Sequence, residues 1–160
     1  MTDTVHFSRR ERVVAWLFVG IQFALLGVMV LLPRDIAWIP TATMRTIGMA
    51  LLVAGAGIGA WGASYLGRGL TPSPLPNGAA SLVTRGAYRF VRHPIYTAVM
   101  LLGAGITLRA GSWVVLIAFG ALMLLFNVKA RWEELHLSDT FPGYERYMKH
   151  TSRFLPSLRR

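Results

Sequence analysis

The sequence contains no cysteine, which excludes disulfide bonds, zinc–thiolate sites and thiol nucleophiles. It is also poor in charge: 15% of its residues are Asp, Glu, Lys or Arg, whereas about 25% is usual in a soluble domain. Acidic residues are the scarcest, with 7 Asp and Glu against 17 Lys and Arg. The low charge argues against a soluble fold. Because acidic residues are scarce, two adjacent ones are candidates for a functional site.

Apolar residues are abundant instead, since they make up 54% of the 160 residues and the mean hydropathy is +0.47. A helix needs about 20 apolar residues to cross a bilayer. Apolar runs therefore predict four membrane spans, over residues 13–32, 47–66, 94–108 and 113–128. We predict a single all-α integral membrane domain, residues 1–160, with four transmembrane helices, a cytoplasmic polar loop and a C-terminal helical segment. We expect the chain after residue 128 to be helical in pieces, with a break at Phe141-Pro142-Gly143.

Polar and small residues mark three further features of the chain. Gln22 is the one polar residue in the first apolar run. Gly55 and Gly59 in the second run would let another helix approach closely, unless they are simply glycines of the kind common in membrane helices. Residues 67–92 form a long loop. Its prolines at alternate positions, which favour an extended backbone, are Pro72, Pro74 and Pro76.

Basic residues are distributed unequally between the two sides of the predicted bundle. With four spans, both termini and the 67–92 loop lie on one side, and the other side holds Arg34, Arg45 and Arg109. The first side therefore has 14 of the 17 Lys and Arg residues (17 − 3). Because cytoplasmic loops carry an excess of Lys and Arg, we predict cytoplasmic termini in a prokaryotic inner membrane. Topology and membrane lipids then account for the net charge of +10, without nucleic acid as a partner.

Two polar clusters lie next to the third and fourth runs. The first is residues 82–96, LVTRGAYRFVRHPIY, and its proline is suited to open a helix because that position needs no N–H. The second is residues 129–134, KARWEE, at the end of the fourth run. The predicted topology brings both to the cytoplasmic surface. If the third and fourth runs form a hairpin about Ala110, His93 lies level with Asn127. Glu133 is six residues further along the fourth helix, which is about 9 Å at 1.5 Å per residue.

The residue types in these clusters suit a ligand that carries both charges. A helix that starts at His93 would offer free N–H groups, which together with Arg92 suit a carboxylate. If that helix extended backward by one turn, Arg89 would share a face with His93. The adjacent acids Glu133 and Glu134 suit an ammonium group or hydroxyls, and we expect no metal at this site.

Each cluster also has a plain structural interpretation. The arginines of the first cluster could serve only to fix membrane topology. In the second cluster, Lys129 is four residues before Glu133, and Arg131 is three residues before Glu134. Such spacings also suit a solvated, salt-bridged helix face. His93 has less structural reason to stand between an arginine and a proline at a helix start.

Taken together, the motifs resemble those of the isoprenylcysteine carboxyl methyltransferases and the related phospholipid methyltransferases. The resemblance covers about half of the chain, residues 82–156, which we take as the catalytic region. No single motif is specific, but their combination and order are. They are LVTRGAY at 82–88, RHPIY at 92–96, the Glu pair at 133–134, FPGY at 141–144 with Tyr147, and RFLP at 153–156.

This resemblance implies methyl transfer from S-adenosylmethionine, bound between the loop, the RHPIY motif and the Glu pair. The positions that match the family's cofactor site are Leu82, Val83, Tyr88, His93, Pro94, Ile95, Tyr96 and Glu133. We assign catalysis to Arg92, His93, Glu133 and Glu134. Lys129 stands where a basic residue contacts the substrate in eukaryotic members, and with Arg131 it is the candidate for binding the acceptor.

The acceptor is expected to be a lipophilic or lipidated molecule that enters from the bilayer. A carboxylate on an isoprenoid-like or prenylcysteine-like molecule is the leading prediction, because it is ionised at neutral pH and needs no base. Phospholipid N-methylation and thiol methylation are alternatives. A membrane reductase, which would need a nicotinamide cofactor, and a non-catalytic membrane protein are further alternatives.

Overall fold

The computed structural model of the chain describes residues 7–32, 35–75 and 81–156. Arg34 and Pro76, which contribute to the topology and loop predictions, lie outside these ranges. Two 3₁₀ turns, Gly67–Gly69 and Gly86–Arg89, stand between the second and third α-helices. The α-helices are α1 (Arg9–Leu31), α2 (Ala42–Leu66), α3 (Pro94–Ala110), α4 (Trp113–Thr140) and α5 (Tyr144–His150).

Three of these helices, α1, α2 and α4, are long and apolar enough to cross a membrane. The shorter apolar helix α3 has 17 residues. Its length is about 25 Å at 1.5 Å per residue, against a hydrocarbon core of about 30 Å. Large apolar side chains on the outer faces, such as Leu31 at 80% exposure and Leu124 at 71%, suit contact with lipid. The prediction of an all-α integral membrane protein is confirmed.

The main departure from the expected helices is the length of α4. It continues past residue 128, the expected end of the span, as one helix of 28 residues that ends at Thr140. The break expected at residues 141–143 lies between α4 and α5. The reason is local, because residues 129–140 contain neither proline nor glycine, and the Pro-Gly step comes only at 142–143. The Glu pair therefore stands on a continuous helix.

Helices α2 and α3 pack with their backbones in contact. The glycines of α2 that are buried against α3 are seven residues apart: Gly48, Gly55 and Gly62. A methyl group placed on Gly55 would lie 2.9 Å from the carbonyl oxygen of Ala98. The close approach expected at Gly55 is confirmed, and Gly59 lies beside the same contact, 3.3 Å from the Ala98 methyl by the same measure. This packing fixes the start of α3 against the end of α2.

An apolar core joins α1, α3 and α4. Met29, Val115, Leu122 and Phe126 are at most 1% exposed. The ring of Tyr96 stacks on that of Phe126, with centroids 4.8 Å apart. The core therefore reaches the start of α3 and gives Tyr96 a fixed position there.

The two short connections contact one another at the far end of the bundle. Asp35, between α1 and α2, accepts hydrogen bonds from the Ser112 hydroxyl and from the N–H of Trp113, the latter at 3.2 Å. The hydrogen bond from Ser112 is the main cause that lowers the pKa of the Asp35 carboxyl. Gly111 has a left-handed φ of 62°, and its carbonyl accepts from the N–H of Ala37 at 2.8 Å. Both connections thus lie at one end, as four spans require.

The last described segment folds back onto the start of α3. The N–H of Arg92 donates to the carbonyl of Ser152 at 2.8 Å, and the N–H of His93 donates to the carbonyl of Arg153 at 3.1 Å. These two hydrogen bonds attach the chain that follows α5 beside the RHPIY motif. The C-terminal segment therefore covers the region around His93.

Candidate functional site

A cleft lies where the end of α2, the loop after it, the start of α3 and the end of α4 come together. Helix α5 contributes a further wall through Tyr144 and Tyr147. The space between these walls, counted out to the open mouth, is about 860 Å³. This space includes open solvent, so the cleft can be reached from outside the bundle.

Both polar clusters of the sequence contribute side chains to this cleft. Pro94 is buried at the first position of α3 and is not part of the wall. Glu134, Lys129 and Arg131 are likewise absent from the residues that line the cleft. The residues proposed from the sequence that do line it are Leu82, Val83, Tyr88, Arg92, His93, Ile95, Tyr96 and Glu133.

His93 lies between the two glutamates. Its Nε2 is 3.1 Å from Oε1 of Glu134, and its Nδ1 is 3.8 Å from Oε2 of Glu133. The separation of about 9 Å expected from counting helical residues is therefore absent between the functional groups. Histidine and glutamate side chains each extend several Å from the backbone, and they cover the offset between the helices.

Helix α3 begins at Pro94, with His93 as its N-cap. The backward extension considered from the sequence does not occur, because Arg89 belongs to the separate turn Gly86–Arg89. A residue before proline is disfavoured in the helical conformation, and His93 accordingly has φ −124° and ψ 64°. Arg89 is exposed and does not share a helix face with His93.

Glu134 is the centre of a buried cluster of charged groups. Its carboxylate accepts from Nη2 of Arg153 at 2.6 Å, from Nε of Arg92 at 2.9 Å and from Nε2 of His93 at 3.1 Å. Because an ionised carboxylate only accepts, Nε2 of His93 carries the proton in this contact. Its hydrogen bonds to Glu134 raise the pKa of the Arg153 guanidinium. The cluster orients His93 and leaves Glu134 without a free oxygen for a ligand.

Arg92 donates mainly to groups of the protein itself. Besides Glu134, its guanidinium donates to the carbonyl of Met148 at 3.1 Å and to the carbonyl of Thr151. These contacts connect the start of α3 to the end of α5. Although Arg92 lines the cleft, four of its five N–H donors are directed to these protein groups. Its main effect is therefore to hold His93 and α5 in place.

Glu133 has the opposite character. Its Oε2 accepts a hydrogen bond from the Tyr96 hydroxyl at 2.5 Å. Its Oε1 has no hydrogen bond with any residue that the structure describes, and the side chain, 21% exposed, faces the cleft. A carboxyl group with one free oxygen suits an ammonium group or a hydroxyl.

The start of α3 offers a complementary feature. No side chain in the described ranges caps this helix, Pro94 has no N–H, and the N–H of Thr97 returns to the carbonyl of His93 at 3.0 Å. The N–H groups of Ile95 and Tyr96 therefore stand at the positive end of the helix dipole. Since Ile95 and Tyr96 line the cleft, this end suits an anionic group.

Three tyrosines outside the spans also line the cleft. Burial is the main cause that raises the pKa of Tyr88, Tyr144 and Tyr147 above the ordinary value of a phenol. The hydroxyl of Tyr147 donates to the carbonyl of Tyr88 at 2.5 Å. The buried hydroxyl of Tyr144 has no hydrogen-bond partner among the described residues. These phenols therefore stay protonated. The Tyr147 proton is already donated to Tyr88, and the hydroxyls of Tyr88 and Tyr144 remain available as donors.

Lys129 and Arg131 occupy very different places. Lys129 is 1% exposed, and its ammonium donates to Oε1 of Gln22 at 2.7 Å and to the carbonyl of Pro72 at 3.0 Å. Arg131 is exposed on the other side of α4 from these contacts. Neither residue is part of the cleft wall, so their contact with an acceptor stays a prediction.

Several residues at the cleft were not assigned from the sequence. The loop at 70–75 forms one wall, and the length and proline spacing of that loop were the available signal. Tyr144 and Tyr147 form another wall, and their helical spacing was the signal there. The sequence signals for Arg153 and Gln22 were weaker. Gln22, for example, is distinguished only as the single polar residue of the first span.

The fold and the site define a class of protein: a helical membrane bundle with a cleft at one end, whose mainly apolar walls carry a few polar groups. Comparison with known proteins narrows this class. Residues 43–143 match the family model described as phospholipid methyltransferase. This match covers more than half of the chain, which therefore belongs to the phospholipid methyltransferase family. The resemblance inferred from the motifs is confirmed, and family membership points to methyl transfer at a membrane.

Two curated relatives are similar to the chain as well. One is the nickel-cobalt-cadmium resistance protein NccN of Alcaligenes xylosoxydans xylosoxydans, which is 34% identical over 128 aligned residues. The alignment covers 78% of this chain and 54% of NccN. The other is the cobalt-zinc-cadmium resistance protein CzcN of Cupriavidus metallidurans, which is 32% identical over 80 aligned residues. This alignment covers 49% of this chain and 37% of CzcN. The chain thus spans about half of one relative and little more than a third of the other.

The names of these relatives denote resistance to metal ions and do not state a reaction. Within residues 7–32, 35–75 and 81–156, no group of three or more His, Asp or Glu residues is arranged to hold a metal ion. The two relatives therefore show sequence similarity but indicate no reaction, whereas the family model indicates methyl transfer.

Proposed function

We propose that the chain binds S-adenosylmethionine in the cleft and transfers its methyl group to a lipophilic acceptor that enters from the bilayer. One observation carries this proposal: the free carboxylate oxygen of Glu133 and the uncapped start of α3 face the same cleft. They suit the ammonium and the carboxylate, respectively, of the amino-acid part of the cofactor. Membership of the family supports the same cofactor.

Other residues of the cleft fit this cofactor too. Leu82, Val83 and Ile95 supply apolar surface, and the phenols of Tyr88 and Tyr144 supply donors. When bound, S-adenosylmethionine supplies a methyl group activated on a sulfonium. The protein's part is to orient the two partners and to exclude water. In this arrangement Glu133 and His93 contact the cofactor, whereas Arg92 and Glu134 position them.

The proposed acceptor is a carboxylate on an isoprenoid-like or similar apolar tail, which needs no deprotonation at neutral pH. A second candidate is the amine of a phospholipid. The family match favours it, as does the geometry of His93: its Nε2 proton is held by Glu134, which leaves Nδ1 able to accept a proton. The acceptor would reach the cleft from lipid, and the cofactor from the cytoplasm of a prokaryotic cell.

Titration of the purified protein with S-adenosylmethionine tests the cofactor site. Glu133→Gln and His93→Ala should each weaken binding about ten- to a hundredfold, because a hydrogen bond to a charged group contributes about 1.5–3 kcal/mol. Glu145→Gln, which changes an exposed glutamate on α5 away from the cleft wall, is the matched control and should bind like the wild type. Unchanged binding in both cleft variants would refute the proposed site.

Identification of the acceptor needs a second experiment. The protein would be incubated with a membrane lipid extract and cofactor carrying a labelled methyl group, and labelled products would be identified by mass spectrometry. We expect label in an apolar methyl ester or, for the second candidate, in a phospholipid headgroup. Binding of NADPH in place of S-adenosylmethionine would instead favour the membrane reductase alternative.

A further inference from the structure

Lys129 occupies an unusual place for a charged side chain, because it is buried on α4, four residues before Glu133. A buried charge is very unfavourable unless polar groups satisfy it. The Lys129 ammonium donates to Oε1 of Gln22 at 2.7 Å and to the carbonyl of Pro72 at 3.0 Å. It also lies 5.2 Å from the centroid of the Tyr96 ring, within the range of cation–π attraction.

We propose that Lys129 is a positioning residue that holds two walls of the cleft in place, and that it does not contact the acceptor. This proposal rests on the proposed cofactor site. An ammonium has three protons, and the contacts to Gln22, Pro72 and the Tyr96 ring occupy the space around it. No donor remains for a carboxylate on the acceptor, and Lys129 is not part of the cleft wall.

The first wall held by Lys129 is the loop at 70–75. The hydrogen bonds within this loop are short in range: the N–H of Ser73 donates to Thr71 Oγ1 at 3.2 Å, and the N–H of Leu75 donates to Ser73 Oγ at 3.3 Å. These bonds shape the loop but do not attach it to the bundle. Within the described ranges, the hydrogen bond from Lys129 to Pro72 ties it to a distant helix.

The second wall is the pair formed by Tyr96 and Glu133. The ammonium stands over the ring whose hydroxyl donates to Glu133 at 2.5 Å. Lys129 and Glu133 are four residues apart on α4 and so share one face of it. One cation therefore fixes both the loop and the group proposed to bind the cofactor. Gln22 supplies its acceptor from α1, which accounts for the one polar residue in the first span.

A double-mutant cycle separates positioning from plain stabilisation. Lys129→Met and Gln22→Leu should each lower the Tm, because each leaves a buried polar partner unsatisfied. The double variant removes both polar groups, so its Tm should return most of the way to that of the wild type. Its affinity for S-adenosylmethionine should stay weakened about tenfold, as in Lys129→Met, because the Pro72 carbonyl has lost its charged donor in both.

Two results of the cycle would overturn the proposal. Recovery of cofactor affinity together with the Tm would show that Lys129 only stabilises the bundle. A raised KM for the acceptor at unchanged cofactor affinity would show that Lys129 contacts the acceptor. The matched control is Lys149→Met, which changes an exposed lysine on α5 and should alter neither Tm nor affinity.

A spectroscopic measurement tests the same proposal without any cofactor. Since the chain has no cysteine, Leu70→Cys provides a single site for a nitroxide label on the loop at 70–75. Lys129→Met should increase the mobility of this label, and Lys149→Met should not. Unchanged mobility in Lys129→Met would refute the positioning role. If the wild type fails to bind S-adenosylmethionine, the proposed function is wrong, and the label still reports whether Lys129 holds the loop.

Discussion

His93 contacts both members of the Glu pair, so its chemistry decides which acceptors the cleft can serve. Its Nε2 proton is engaged by Glu134, and its Nδ1 faces Glu133, which already accepts from Tyr96. Tyr88 is not a base at neutral pH, because burial and then the charge of Glu133 raise the pKa of its phenol. A free proton acceptor in the cleft is therefore either His93 or Glu133, and both are proposed to hold the cofactor.

The pH dependence of the methyl transfer rate tests this interpretation. With a carboxylate acceptor, whose reference pKa is near ~4, the rate should be nearly constant from about pH 6.5 to 9. An amine near ~10 or a thiol near ~8.5 must lose a proton first, so the rate would rise about tenfold per pH unit below its pKa. Initial rates at saturating cofactor with the identified acceptor give the profile. A steep rise would reject the carboxylate and favour the phospholipid amine.

At the scale of helices, the sequence was informative wherever one local rule decides the outcome. The apolar runs predicted four helices, and Pro94 marked the start of α3. The fourth span was expected to end at Val128, whereas α4 continues to Thr140 because no helix breaker precedes residues 141–143. The attachment of Ser152 beside Arg92 joins segments 60 residues apart, and no local pattern predicts such a pairing.

The contact of α2 with α3 makes a prediction about stability. In Gly55→Ala the added methyl would lie 2.9 Å from the Ala98 carbonyl oxygen and 2.9 Å from a side-chain carbon of Leu102. Overpacking of this kind costs about 1–3 kcal/mol. Gly57→Ala is the matched control on the same helix, because nothing lies within 4 Å of its added methyl. It should gain stability, by up to about 1 kcal/mol of helix propensity.

Denaturation of both variants in the same detergent measures this difference. Gly55→Ala should unfold at a lower denaturant concentration than the wild type, and Gly57→Ala at the same or a higher one. Equal shifts in the two variants would contradict backbone contact between α2 and α3.

At the scale of the whole molecule, the site depends on parts that are distant in the sequence. The two clusters could be predicted to meet, because both adjoin the same end of an apolar hairpin. The role of Lys129 could not be predicted, since its partner Gln22 is 107 residues away on α1. Spacing on α4 suited a solvated salt bridge with Glu133, and the family resemblance implied contact with the acceptor. Burial against α1 and the loop at 70–75 decides the actual contacts.

The orientation of the bundle gives the last prediction. Basic residues predict that the cleft end faces the cytoplasm, where the cofactor would reach it, and the contact of Asp35 with Ser112 places both short connections at the opposite end. A green fluorescent protein fused to the C-terminus should therefore fluoresce, and alkaline phosphatase fused there should be inactive. The matched control is a phosphatase fusion after Gly111, in the connection between α3 and α4, which should be active. An active phosphatase at the C-terminus would turn the cleft away from the cytoplasm and remove its proposed supply of S-adenosylmethionine.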